Sequence, residues 1–331
     1  MKNILLIRFG SLGDVVLTTP TIRAIRKEFP HARIAMLVGE RSADVLTTNP
    51  HLDELITFER KARGLSETRR IVSVLKQYNF DVSIDMQRKF RSSLITYLGN
   101  VRLRIGYHEP KGFLCSVKIP EDENKHAIDR NLDLLKPLGI ETEDIKPEIF
   151  ILKEHQDFAR DELEKLGANF EYPALGMFPG AGWRHRCWPA QKFAEVGDMA
   201  ISNKNASVVV LGGPKESDIL EDISNRMKNK PILMKANMTI PQLAGVIQQC
   251  NLFISNDTGP MHISVAVNTP TIGLFGPGNH IKFRPLGEQN TFIRHNTPCS
   301  PCKQFTDRCK DNICMKKISV DEVWEVVKEK L

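Results

Sequence analysis

The 331-residue chain is short of long apolar runs. None approaches the roughly 18 residues that a membrane helix needs. At its start only Ile4 to Ile7 are apolar before Arg8 intervenes, about half of a secretory core segment. The expectation is a cytoplasmic protein that visits a membrane, if at all, at its surface. No repeat of roughly 20–50 residues is present, which excludes solenoids and propellers, and no low-complexity tract interrupts the chain. Charge of one sign is also scarce. Lys plus Arg number 46 against 40 Asp plus Glu, a net +6 too weak and too dispersed for a nucleic-acid binder. That excess suits an anionic ligand or an anionic membrane surface. Apolar residues make up 41% and charged residues 26%, the composition of a folded globular protein. The seven cysteines are an odd number, and a reducing compartment disfavours disulfides.

What is present is an alternation of short β-branched runs with longer amphipathic stretches, which predicts parallel sheets wrapped by helices. Strands are predicted at Asn3–Ile7, Arg33–Val38, Glu54–Phe58, Val82–Asp85 and Leu103–Gly106. Helices are predicted at Asp14–Glu28, Arg63–Gln77 and around Asn131–Pro137. After an extended Lys146–Ile151 and a helix Glu154–Leu166, a second series begins. Its strands are Ala174–Phe178, Ser207–Leu211, Ile232–Met234, Leu252–Ser255, Thr271–Phe275 and Thr291–Arg294, and a helix Val320–Leu331 closes it. The fold class is therefore α/β, with two doubly wound, Rossmann-like units. The expected boundaries are 1–155, 156–318 and a helix 319–331, with a central cleft between the two units. Ligands of such sheets bind beyond the carboxyl ends of the strands.

The first such loop is Gly10-Ser11-Leu12-Gly13-Asp14. Asp14 sits at a helix start, where it serves either as an N-cap or as a general base toward a substrate hydroxyl. A dinucleotide site, with Glu40 on a ribose, fails on spacing, because the loop has one G-x-x-G rather than G-x-G-x-x-G. In the second half, Ser255-Asn256-Asp257-Thr258-Gly259-Pro260-Met261-His262 runs from an apolar strand into a helix with proline in its first turn. Free backbone N–H groups and the helix dipole would receive an anion there. Arg184 or Arg186 after the first strand of this half, and Glu216 after its second, suit a phosphate and ribose hydroxyls. Each loop alone also reads as an ordinary solvated turn. Together they support a nucleotide diphosphate.

These residues together resemble the family 9 glycosyltransferases, the ADP-heptose:lipopolysaccharide heptosyltransferases. The resemblance spans nearly the whole chain. It is carried by Gly10-Ser11-Leu12-Gly13-Asp14-Val15, by Asp85-Met86-Gln87 with Arg91-Ser92, by Arg186-Cys187-Trp188-Pro189, by Asp257-Thr258-Gly259 with His262, and by Gly273-Leu274-Phe275-Gly276-Pro277. It implies a GT-B fold, an acceptor in the N-terminal half, a nucleotide sugar in the C-terminal half, and inverting transfer without a catalytic metal. It makes Asp14 the catalytic base. It puts Arg186, where a lysine is usual, Glu216, Asp257, Thr258, Gly259 and His262 on the ADP-heptose donor. It puts Gly13, Arg60, Lys61, Arg63, Gln87 and Arg91 on the lipopolysaccharide core acceptor, at the inner face of the inner membrane. A glycine is usual after the Asp-x-Gln triplet, where this chain has Arg88.

Under that resemblance, an acceptor hydroxyl relieved of its proton by Asp14 attacks the anomeric carbon opposite the ADP. The transition state is oxocarbenium-like, with leaving-group charge met by Arg186 and the helix start at 257–260. Closure of the units would align the substrates. Cys299-x₂-Cys302-x₆-Cys309-x₄-Cys314 could enclose a structural zinc or iron in the loop 299–314; free thiols or a labile disulfide are the other readings. Related clusters occur in the family, and an iron-bearing one in relatives that glycosylate proteins. Two rivals stay open, an ADP-heptose:protein transferase and a non-catalytic two-lobed ligand-binding protein; a nicotinamide dehydrogenase is disfavoured by the missing third glycine.

Overall fold

The computed structural model describes residues 1–59, 65–108, 114–213, 215–234, 237–302, 309 and 311–331. The expected basic residues Arg60, Lys61 and Arg63 lie outside them. The chain divides into two compact units, Met1–Ile149 and Phe150–Leu331, a few residues before the expected boundary.

The first unit holds strands β1 (Asn3–Arg8), β2 (Arg33–Gly39), β3 (Glu54–Phe58), β4 (Val82–Asp85), β5 (Leu103–Tyr107) and β6 (Val117–Ile119). They form one sheet in the order β3-β2-β1-β4-β5-β6, every pair parallel. The second unit holds β7 (Ala174–Phe178), β8 (Ser207–Leu211), β9 (Ile232–Met234), β10 (Leu252–Asn256), β11 (Thr271–Phe275) and β12 (Thr291–Arg294). Its order, β12-β11-β10-β7-β8-β9, is the same topology read from the other edge, again all parallel. Central strands covered on both faces read as continuous apolar runs, and Ile4 to Ile7 are fully buried. Each unit has its own apolar cluster. One is built on Leu5, Ile7, Leu37, Ile71 and Phe80, the other on Leu175, Trp188, Phe193, Ile254 and Trp324.

In each sheet the strand order reverses beside the first strand, between β1 and β4 and between β7 and β10. Loops leaving two adjacent strands in opposite directions open a crevice there, where ligands bind in this fold.

The structure corrects the predicted helix Asp14–Glu28, which is two helices, Leu12–Val16 and Thr19–Glu28. Pro20 has no N–H for the Val16 carbonyl and breaks the ladder. The hydroxyls of Thr18 and Thr19 donate instead to the carbonyls of Val15 and Val16, at 2.7 and 2.8 Å. The helix expected around Asn131–Pro137 is Ala127–Asp133, followed by a 3₁₀ turn at Lys136–Leu138. The extended Lys146–Ile151 joins no sheet. It is tied to the helix Thr19–Glu28 by Arg23–Glu148 at 2.7 Å and by the Glu148 N–H to Thr19 Oγ1 at 3.0 Å. The closing helix, Val320–Lys330, packs Val323, Trp324 and Val327 into the core of the second unit. Among the described residues, no helix is long and apolar enough to cross a membrane.

Candidate active site

The reversal point of the first sheet is organised by an ion pair. Arg8 ends β1, and its Nη2 lies 2.6 Å from Asp14 Oδ1. Ser11 adds its N–H and hydroxyl to Asp14 Oδ2, at 3.2 and 3.0 Å. Asp14 is therefore not the N-cap. Ser11 occupies that position, and Asp14 is the third residue of the helix, reaching back to it. Burial works against the Asp14 charge, but Arg8 and the Ser11 donors outweigh it and hold the carboxyl below its usual range. Arg8 also donates to the carbonyl of Met86 after β4.

Asp85, at the end of β4, is buried, and its Oδ1 accepts the Gln87 N–H at 2.8 Å. Desolvation pushes this carboxyl up to about 6 against the pull of Ser92, the Gln87 and Arg88 N–H groups and Arg8. Gln87 in turn accepts the Phe9 N–H at 2.6 Å, lacing the β4 loop to the β1 loop. Arg88 has φ +59°, the left-handed region in which a glycine is at ease. That placement costs a non-glycine residue about 1–2 kcal/mol. Its guanidinium is held by Glu121 at 2.5 Å, a carboxylate shared with Arg130. Arg91 lies over the Phe58 ring, 4.6 Å from its centroid, and donates to Thr68 Oγ1. Gly13 is buried within its helix. Beside these residues a cavity of about 770 Å³ is lined by Phe9, Gly10, Ser11, Glu40, Ser42 and Glu59 among others.

In the second unit the expected donor residues come from the carboxyl ends of adjacent strands. Asn256, fully buried at the end of β10, gives its amide N–H to the Pro179 carbonyl at 2.7 Å and accepts the Trp188 N–H at 3.0 Å. One side chain thus pins both ends of the loop after β7. That loop carries Arg186, whose Nη1 lies 3.1 Å from the Asp257 carbonyl and 3.2 Å from Asp257 Oδ2. Trp188 is fully buried, and its Nε1–H donates to the Ile318 carbonyl at 3.0 Å.

Glu216, after β8, accepts the Gly213 N–H at 3.0 Å. A Cβ on Gly180 would stand 2.4 Å from Glu216 Cγ, so the β7 and β8 loops meet only because residue 180 has no side chain. Gly278, after β11, likewise lies against Asp257, where a Cβ would fall 2.0 Å from Oδ2. Thr258 caps the helix Gly259–Ala266 by backbone position, and its hydroxyl makes no capping bond. Thr258 and Gly259 keep partial exposure between buried neighbours. Thr258 and Gly259 therefore present the helix start to an anion, while Pro260 has no N–H and the Met261 N–H is taken by the Thr258 carbonyl at 3.2 Å. His262 is buried edge-on to Phe283, with centroids 6.2 Å apart.

Of the four clustered cysteines, Cys314 is buried and Cys299 exposed. Burial first, then the neighbouring Cys299 and Cys309, push the Cys314 thiol up. Among the described residues, no three His, Cys, Asp or Glu side chains converge as a metal-ligand set.

Three residues that organise these sites were not singled out by the sequence reading: Arg8, Asp85 in its own right, and Asn256. Each is a polar residue closing a buried apolar strand, and that position was the available signal.

Two doubly wound parallel sheets of this topology, each with its polar constellation at the carboxyl ends of the central strands, define the GT-B class of glycosyltransferase fold. The chain belongs to glycosyltransferase family 9 (heptosyltransferase), whose family model matches residues 68–312. It is 29% identical over 311 residues to lipopolysaccharide heptosyltransferase 3 of Escherichia coli K12, covering 90% of each chain. Its fold is similar to a family 9 glycosyltransferase from Veillonella parvula, with TM-score 0.89, 24% identity, and 99% and 96% of the two chains covered. It is also similar to the E. coli ADP-heptose lipopolysaccharide heptosyltransferase II, with TM-score 0.82, 20% identity, and 99% and 98% covered.

Proposed function

We propose that the chain transfers a heptosyl residue from ADP-heptose to an acceptor sugar of the lipopolysaccharide inner core. The reaction inverts the anomeric centre and needs no catalytic metal. The observation that carries this reading is the constellation in the second unit. There, accessible Thr258 and Gly259 at a helix start, the Arg186 guanidinium and the Glu216 carboxylate come from neighbouring strand ends. The helix start and Arg186 supply the positive field that a departing diphosphate needs. Glu216 is an acceptor for ribose hydroxyls.

In the first unit, Asp14 takes the proton of the attacking hydroxyl. Arg8 and Ser11 keep it ionised and fix its direction. They also make it a weak base, so the proton moves late, once bond formation has made the hydroxyl acidic. The work is done in the cytoplasm, at the inner face of the inner membrane.

The test offers ADP-heptose to Kdo-bearing and heptose-bearing core acceptors, with and without EDTA, and reads the new linkage by NMR. Transfer with inverted configuration that survives EDTA is expected. Retention of configuration, or loss of activity restored only by a divalent cation, would overturn the mechanism. A lack of transfer to every core acceptor would overturn the substrate.

A further inference from the structure

The helix Phe90–Leu98, which follows the β4 loop, has a buried face made of Ser92, Ser93, Ile95 and Thr96. Water should then meet polar residues on the other side. It meets Phe90, Tyr97 and Leu98 instead, 44%, 51% and 43% exposed, with Leu94 half-buried among them. Spaced i, i+4, i+7 and i+8, these four fall within about 100° of arc. At the Phe90 end, Arg91 is tied to Thr68 of the helix Leu65–Tyr78, whose first residue, Leu65, is 69% exposed. An apolar stripe of this length on a solvated helix marks an interaction surface.

Its charge identifies the partner. Residues 86–104 contain Arg88, Lys89, Arg91, Arg102 and Arg104 and no Asp or Glu. Arg88 is spent on Glu121, but Lys89 and Arg102 are exposed at the two ends of the helix. The Arg104 guanidinium, 5.4 Å from the centroid of the Tyr97 ring, is spent on the carbonyls of Leu114, Val101 and Arg102. A second copy docked symmetrically on this face would set these cations against their own kind. An anionic bilayer answers both features, taking apolar side chains and an aromatic ring at its boundary and basic groups at its phosphates.

We propose that the helix Phe90–Leu98 is a membrane-docking element. It lies in the plane of an anionic lipid surface, with Phe90, Leu94, Tyr97 and Leu98 in the headgroup boundary and Lys89 and Arg102 on lipid phosphates. This rests on the face itself and not on the acceptor assigned above.

The experiment is vesicle flotation of the full chain with phosphatidylglycerol/phosphatidylethanolamine vesicles and with pure phosphatidylcholine. Flotation with the anionic vesicles alone, weakened at high salt, is expected. Tyr97→Ser with Leu98→Ser, and separately Lys89→Glu with Arg102→Glu, should each weaken it at least tenfold. ADP affinity, thermal stability and transfer to a lipid-free acceptor should remain at wild-type values. No flotation of the wild type, or variants that float as well as it does, would overturn the proposal. So would a concentration-dependent dimer that the same variants dissolve in the absence of vesicle binding.

Discussion

Two carboxylates at the reversal point of the first sheet, one half-buried and one buried, respond to pH in opposite directions. The Asp14 carboxyl is held low by Arg8 and Ser11, so its stabilising contribution is present above the ordinary carboxylate range and is lost as pH falls through its folded value. The Asp85 carboxyl is raised to about 6 from 3.8 by burial. The fold therefore disfavours its charge, at no cost below about pH 4 and at a cost that grows between about pH 4 and about pH 6 and then levels off. That shift corresponds to about 3 kcal/mol. In urea titrations, Asp85→Asn should gain on the wild type by up to that amount between pH 4 and pH 7.5. An equal difference at both pH values would show that burial does not strain this group. Asp14→Asn keeps the shape but removes the base. Turnover should fall by about 10²–10⁴-fold while calorimetry finds ADP affinity within a factor of two. Wild-type turnover would remove Asp14 from the mechanism. Of these residues the sequence disclosed Asp14 through its glycine-flanked loop, but not Arg8 or Asp85, because a polar residue ending an apolar strand looks the same whether it meets water or a partner contributed by a strand far off in sequence.

At the scale of elements, strand-to-helix loops supply the chemistry, and buried polar anchors hold those loops in place. Asn256 is the clearest of them, closing the 179–188 loop from both ends. Asn256→Ala strands a buried carbonyl and a buried N–H, at a cost of about 1–3 kcal/mol each, and frees Arg186. ADP affinity measured by calorimetry should drop at least tenfold, as it should in Arg186→Ala. Unchanged affinity in both would place the diphosphate elsewhere. Strands were the most legible elements, because a buried parallel strand is a short β-branched run between turn residues. Val117–Ile119 escaped, being three residues long with a lysine at its centre. The break after Val16 escaped as well, since Pro20 is also compatible with the first turn of a new helix and only the Thr18 and Thr19 hydroxyl bonds settle which helix it belongs to.

For the whole molecule, the doubled topology follows from the pattern of strands and helices, and each unit encloses its own apolar core. The residues proposed to hold the donor all lie within Phe150–Leu331. Residues 150–331 produced alone should therefore fold and bind ADP within about threefold of the intact chain, while showing no transfer. A fragment that folds yet ignores ADP would require the first unit for nucleotide binding. The indole of Trp188 is fastened to the carbonyl of Ile318, and the Lys192 ammonium to the carbonyls of Lys316 and Ile318. During synthesis the arginine-bearing loop emerges long before its fastening does. The loop that carries Arg186 thus waits, unlatched, until residues 316–318 have emerged to close it.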